Sequence, residues 1–520
     1  MKRQFITATA LLFAMYSQAQ PGGFQNQQPV KTIVSRPFWQ ASPDLAAVKA
    51  EMAKDGFRFA DVKNGDDPLN LAITNKASAE VLEYLASQPG VDFQRGIHEG
   101  RTYLHSAASG GNEVAVEVLL KHGADMNHLD DHSQTALTYA GFMGRLTLPV
   151  LEVFVKHGYD VKKQYEAKDD VNIWLLSVGG DKDLAITNYL VAKGISLQSV
   201  DKNGNTAFDY AAKQGNVEIL KALKAKGVKN TSNALLMAAA GPFRSANKLD
   251  VFQYLVEEVK INPAAVNANG QNVLHLVAAK QNQQDIIAYF FNKGVDINLA
   301  DKNGNTPFIS AAGAKSAETV AMLLPKVKNI NAANAKGETA IMNAVKSSNA
   351  EVVALLIKNG ADSKAVDKEG NSMGAYLMES YRGMGGRGGF GGGRGMGAEN
   401  AVPPIEDFTA KIKLLQAAGC NFSTTQKEGN TLYHLAIAKN DVAVLKALSP
   451  LGIDINAKNK EGMTALHKAA MLSKNDAMLK YLVEAGAQKD IKTSFDETAY
   501  NLAKENNFLT TGNVSVEFLK

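Results

Sequence analysis

One six-residue string, Asp-Lys-Asn-Gly-Asn-Thr, stands at 201–206 and again at 301–306. Each copy leads into a helix-like run with paired alanines, AFDYAAKQGN and PFISAAGAKS. Aligning the chain on that Thr gives thirteen copies, around Asp67, Thr102, Thr135, Ile173, Thr206, Asn233, Asn272, Thr306, Thr339, Ser372, Thr431, Thr464 and Thr498. Many neighbours are 33 or 34 residues apart, as from 272 to 306 to 339 to 372. A period of this length holds one supersecondary unit, whose apolar face is covered only when neighbours stack on it. The 520 residues, too many for one ordinary compact domain, are therefore read as one long core built by repetition.

The residues at fixed places in the period each have a physical reason. Gly204 and Gly304 suit a hairpin tip that needs a positive φ. Thr206 and Thr306 are placed to cap the following helix, and Pro307 suits its first position. Where His follows the Thr or Asn by three, at His105, His275, His434 and His467, its ring can reach back over the helix start as in a capping box. Small pairs such as Ala107-Ala108, Ala211-Ala212, Ala311-Ala312 and Ala469-Ala470 let adjacent helices approach closely. Gly123, Gly360 and Gly486 close a second apolar helix where a left-handed residue is favoured.

The combination Gly-x-Thr-x-Leu-His-x-Ala-Ala, an apolar helix and then Gly-Ala-Asp-x-Asn resembles the ankyrin repeat family. Its fullest copies are Gly100–Asn127 and Gly462–Gln488. Tetratricopeptide repeats lack the Gly-x-Thr start, and leucine-rich repeats are shorter. The resemblance implies an all-α fold, an α-solenoid of about thirteen ankyrin repeats with short β-hairpin-like loops. Two copies depart from the pattern. The fourth lacks Gly and Thr and carries Trp174, and the sixth follows the fifth by 27 residues, which implies a shortened hairpin.

Around this array the chain divides as follows. Lys2 and Arg3, an apolar run from Phe5 to Met15 and then Ser17-Gln18-Ala19 have the layout of a secretory signal peptide over 1–19. Residues 20–37 are expected to form a flexible linker. Repeats are expected over 38–380, opening with a half-repeat cap at Phe38–Val62, and again over 403–508, with a polar tail at 509–520. Between them, 381–402 forms a Gly/Arg-rich flexible insertion. The stretch Arg382–Gly397 has ten Gly in sixteen residues, and Ser372 and Thr431 lie 59 residues apart, so the insertion falls inside the tenth repeat. Its three Arg and Phe390 also have the composition of RNA-binding segments, a reading that export disfavours.

With 56 basic and 52 acidic side chains, the chain has no strong net field for nucleic acid or an anionic surface. Its single cysteine, Cys420, cannot close an internal disulfide, so packing must supply the stability. No nucleophile elbow, zinc-protease helix, phosphate loop or dinucleotide fingerprint occurs. His128–His132 (HLDDH) has metal-ligand composition, but Asp130 aligns with the hairpin residues Asp201 and Asp301. Cys420 aligns with the Ala of Gly-Ala-Asp and is read as a packed side chain. Neither an enzyme activity nor a cofactor or metal is expected.

In ankyrin proteins the hairpin tips and the exposed side of the first helix line a concave groove for a protein partner. Carried onto this chain, that implies tip residues Lys202, Asn203, Asn205, Lys302, Asn303, Asn305, Lys368, Lys427 and Lys460. The two positions after the small pair are apolar at Phe142-Met143 and Met471-Leu472. These are either partner anchors or residues packed on an irregular neighbour. The expectation is a monomeric, non-catalytic scaffold without nucleic acid or membrane span, exported to the periplasm of a Gram-negative bacterium or secreted to engage host proteins.

Overall fold

The computed structural model describes residues 32–62, 65–165, 170–242, 245–381 and 404–520. The chain forms two compact units, one ending at Ile195 and one beginning at Ser196. Both are mostly helical arrays of stacked helix pairs. The leader expected at 1–19 and nearly all of the Gly/Arg-rich insertion lie outside the described residues.

In the first unit, successive first helices Pro68–Thr74, Tyr103–Ser109, Ala136–Phe142 and Ile173–Ser177 pack side by side. Their partners Leu45–Asp55, Ala79–Ala86, Glu113–Lys121, Leu148–Lys156 and Ala185–Ala192 form a second layer. The small pairs explain the close first layer: Ala107 and Ala108 are fully buried, so nothing larger than a methyl separates neighbouring backbones. The irregular fourth copy has a two-stranded antiparallel sheet in place of the usual tip, with Gln164 opposite Asn172 and Tyr165 opposite Val171. Asn172, rather than a Thr, caps its helix by accepting from Leu175 N at 3.0 Å. Trp174 is fully buried, and its indole N–H donates to Thr187 Oγ1 at 3.0 Å.

The array starts earlier than residue 38. Ile33 is buried in a 3-10 turn at Thr32–Val34, and its carbonyl accepts from the Trp39 indole at 2.8 Å. The leading segment holds two helices, Arg36–Gln40 and Leu45–Asp55. Two buried apolar residues, Ile33 and Trp39, are what tie the 32–37 end of the expected linker to the fold.

In the second unit the first layer runs through Ala207–Gln214, Asn233–Ala240, Val273–Val277, Pro307–Ala312, Ala340–Ser347, Met373–Ser380, Leu432–Ile437, Ala465–Leu472 and Ala499–Glu505. Helix Pro404–Ala417 takes the second-layer place of the tenth repeat, between Ala350–Lys358 and Val442–Leu448. It is fixed there by Lys411, whose buried ammonium donates to Ser348 O at 2.6 Å and pairs with Asp407 at 2.9 Å. Tyr381, placed in the insertion by sequence, is instead packed: its ring meets Phe408 edge-on at 5.4 Å and its hydroxyl donates to Asp441. The expected tail is also folded over much of its length. Helix Asn507–Thr511 and the turn Glu517–Leu519 bury Leu509, Val516 and Leu519.

Candidate protein-binding face

Each hairpin tip is built around its first residue. Asp201 Oδ1 accepts from Asn203 N at 2.9 Å and Asn205 N at 2.8 Å. Asp301 does the same for Asn303 N and Asn305 N, and Asp367 for Glu369 N and Asn371 N. Asn267, Asn334 and Asn459 repeat it with an amide oxygen. The carboxylate or amide thus takes up two amides that a tight turn leaves unpaired. Gly304 then adopts φ +77°, and a Cβ there would lie 2.8 Å from Ala335 N in the next tip.

Neighbouring tips of the second unit are joined. Lys302 N donates to Asn269 O, Ala335 N to Asn303 O, Lys368 N to Lys336 O and Lys460 N to Glu428 O, at 2.7–3.0 Å. A side-chain ladder runs beside them: Asn334 Nδ2 donates to Asn305 Oδ1 at 2.9 Å, and Asn233 Nδ2 to Asn205 Oδ1 at 2.8 Å. The helix starts add a third connection. Thr102, Asn272, Thr431 and Thr464 form capping boxes with His105, His275, His434 and His467. In each box the ring Nδ1 accepts from the cap residue's N–H, so Nε2 carries the proton. That Nε2–H donates to a carbonyl of the following hairpin: Gln134 at 3.0 Å, Asn305 at 3.1 Å, and Met463 and Ile491 at 2.9 Å. Burial holds all four imidazoles below their ordinary pKa.

These bonds sort the tip residues named from sequence. Lys202, Asn203, Lys302, Asn303, Lys368, Lys427 and Lys460 are exposed. Lys427 pairs with Glu369 at 3.4 Å and Lys460 with Glu428 at 3.8 Å, both on the surface. Asn205 and Asn305 are half-buried, and their side-chain oxygens serve the ladder. Met471 and Leu472 are 46% and 54% exposed, in a stretch whose carbonyls at Ala470 and Ser473 hold Asn506, two residues from the exposed Phe508. Phe142 and Met143, in the first unit, are half-buried, beside Gly141, whose hydrogen faces Leu176 and Ile173 of the irregular fourth repeat.

Sequence reasoning did not single out three features of this face. Tyr210 and Tyr376, four residues after the cap, donate to Asp201 at 2.9 Å and Asp367 at 2.7 Å. Phe495, in the last tip, is 83% exposed where the other tips of the second unit carry Asn, Lys or Glu. Lysines also recur where first helices end, at Lys213, Lys280, Lys315 and Lys346. Alignment of the copies would have exposed the last two.

The remaining candidates are occupied by structure. Asp130 Oδ1 accepts from His132 N and Gln134 N at 2.9 Å, and its other oxygen accepts from Arg101 at 3.3 Å. Among the described residues no group of three His, Cys, Asp or Glu side chains is placed to hold a metal ion. The Cys420 thiol is half-buried and pushed up to about 11, which keeps it protonated and a poor nucleophile. A cleft of about 500 Å³ opens beside Pro325, where Val327 stands at the place of the usual Gly stop. Leu324, Val327, Ile330 and Leu355 line it, on the side of the second helices rather than the tips. No described helix is long and apolar enough to cross a membrane.

Comparison with known proteins agrees with this geometry. Patterns described as ankyrin repeats match residues 69–165, 235–334 and 406–493, with further ankyrin matches at 174–223 and 336–368. A putative ankyrin repeat protein of fowlpox virus is 30% identical over a quarter of this chain and 89% of its own length. Alpha-latroinsectotoxin-Lt1a of Latrodectus tredecimguttatus is 24% identical over 62% of this chain, which covers 22% of the toxin. A homolog of the transient receptor potential channel subfamily A member 1 from Caenorhabditis elegans is 28% identical over 24% of this chain and 10% of the channel. The chain thus spans about a fifth of the toxin's length and a tenth of the channel's.

Proposed function

The chain belongs to the ankyrin repeat family, and on that premise we propose that it is a non-catalytic scaffold holding a partner protein against its hairpin tips and first helices. One observation carries this reading. The recurring residues of each copy are used up in stacking, whereas the second and third tip positions are exposed and take four different pairs over seven tips. They are Lys-Asn at 202–203 and 302–303, Ala-Lys at 335–336, Lys-Glu at 368–369, 427–428 and 460–461, and Ser-Phe at 494–495. A uniform frame with changing exposed side chains suits recognition of one macromolecular surface. Export to the periplasm belongs to the same proposal. It is supported by Lys2, Arg3, the apolar run Phe5–Met15 and Ser17-Gln18-Ala19, and recovery in the periplasmic fraction or in the medium distinguishes a resident scaffold from a secreted one.

The test is affinity capture from the native cells with the exported chain as bait. Asn203→Trp with Asn303→Trp places two bulky neutral groups on exposed tips without touching the ladder. Capture of the partner is expected to fall at least about tenfold. Retention of the same partner by this variant, with its helical signal and melting unchanged, would remove the tips from the binding face.

A further inference from the structure

Between Asp201 and Ser347 the tips and first helices carry their charges in an uneven way. Lys202, Lys302 and Lys336 are exposed on the tips. Lys213, Lys280, Lys315 and Lys346 stand where the first helices end, the last two exposed and the first two half-buried. Lys346, at the edge of this stretch, pairs with Glu379 of the next first helix at 2.5 Å, so the helix-end row proper is Lys213, Lys280 and Lys315. The same segments hold four acids, Asp201, Asp209, Asp301 and Glu338. Three are buried at 5%, 0% and 7% exposure, and each of the four accepts at least one hydrogen bond. Asp201 and Asp301 hold their own turns. Asp209 accepts from Thr206 N at 3.0 Å, Thr231 N at 2.9 Å and Thr231 Oγ1 at 2.8 Å. Half-buried Glu338 accepts from Asn334 Nδ2 at 2.8 Å.

The near-neutral chain therefore has a one-signed face here, and the second helices do not share it. They mix Glu218, Asp285, Glu318 and Glu351 with Lys221, Lys224 and Lys358. The lysines at the helix ends complement the carbonyl end of each helix dipole, which accounts for their placement one by one. It does not account for the missing exposed acids between the two rows. Lys213 and Lys280 also repel each other, and burial lowers both ammonium pKa values. Lys280 Nζ is fixed on the carbonyls of Ala239 and Ala240, which holds a positive charge at a set position on this edge.

Resting on the binding-face reading above, we infer that the partner presents an acidic protein segment, which lies along residues 201–347 between the tip lysines and the helix-end lysines. Charge complementarity selects the occupant. A nucleic acid fits less well, because readers of single strands combine basic grooves with exposed aromatic platforms and arginine. The one Tyr in these segments, Tyr210, is tied to Asp201, and the described residues among them contain no Arg. The asparagines of the same tips, Asn203, Asn269 and Asn303, add amide donors suited to carboxylates or peptide carbonyls.

The test uses the whole exported chain and labelled poly-L-glutamate as the probe, read by fluorescence anisotropy at two salt concentrations. An oligothymidylate of equal charge and phosphatidylglycerol vesicles are the comparison probes. Lys302→Glu with Lys315→Glu, both exposed, is expected to weaken poly-glutamate binding by about tenfold, because each reversal changes attraction to repulsion. Lys224→Glu with Lys358→Glu on the second helices is expected to change it by less than about twofold. Equal losses in the two pairs, no poly-glutamate binding, or equal or tighter binding of the oligonucleotide or vesicle would each overturn the inference. If Asn203→Trp with Asn303→Trp abolishes partner capture while the lysine reversals leave it intact, the face stands and its acidic partner falls.

Discussion

Gly204 and Gly304 form a natural matched pair. Both sit fourth in the same six residues, and both have φ +77°. They differ in what lies beside them. A Cβ on Gly204 meets nothing within 4 Å, whereas one on Gly304 meets Ala335 N at 2.8 Å and Asn334 Cα at 3.1 Å. The left-handed conformation alone costs an alanine about 1–2 kcal/mol, so Gly204→Ala is expected to lose about that much. Gly304→Ala must also displace the neighbouring tip. It weakens the 2.7 Å bond from Ala335 N to Asn303 O, worth about 1 kcal/mol, and crowding adds on the order of 1 kcal/mol. The expected difference between the two variants is therefore about 2 kcal/mol. Asparagine tolerates this backbone region, so Gly204→Asn should be nearly silent while Gly304→Asn keeps the crowding cost. Urea denaturation followed by helical signal, with hydrogen exchange at Ala335 as the local probe, measures both. Equal costs at the two positions, or unchanged exchange at Ala335 in Gly304→Ala, would refute tip-to-tip coupling.

Three further outcomes follow from the same geometry. Because burial depresses His105, His275, His434 and His467 below the ordinary value near 6.5, the unfolded chain binds protons that the folded chain refuses. Their contribution is full above about pH 6.5 and is lost as pH falls through the window beneath it, by about 1.4 kcal/mol per pH unit for each proton. His434→Gln with His467→Gln should flatten that slope in urea titrations between pH 7 and 5, and an unchanged slope would contradict the assigned ring state. Lys411→Ala should destabilise by about 3 kcal/mol, since it leaves Asp407 and Ser348 O without their buried partner; limited proteolysis near Pro404 and the urea midpoint report it. Cys420 should react with a thiol reagent at pH 8 at less than about a tenth of the rate of the urea-unfolded chain, because its thiol titrates near 11.

The parts of the fold that could be read in the sequence are those where one residue type meets one local need. Thr206 and Thr306 cap their helices at 3.3 Å, and the four His rings reach back as their spacing implies. Gly123, Gly360 and Gly486 take positive φ at the second-helix ends. What escaped depends on partners far along the chain. Arg36–Gln40 has neither Gly nor Thr signature, and only the burial of Trp39 and Ile33 places it. Leu509 and Leu519 lie in two separate short elements, Asn507–Thr511 and Glu517–Leu519, each too short to show a period, so their burial at the carboxyl end left no pattern. Asn205 and Asn305 look like free polar tips until Asn233 and Asn334 are seen donating to them. The lysine rows become one face only after stacking brings residues some thirty positions apart side by side.

The most direct measurement is hydrogen exchange of the exported chain with and without its captured partner. The account predicts slowed exchange at the tips around Lys302, Ala335 and Lys368 and along the ends of the first helices Pro307–Ala312 and Ala340–Ser347. It predicts no change on second helices such as Ala350–Lys358. Protection confined to the second helices, or to the cleft beside Pro325, would show that the partner is held elsewhere.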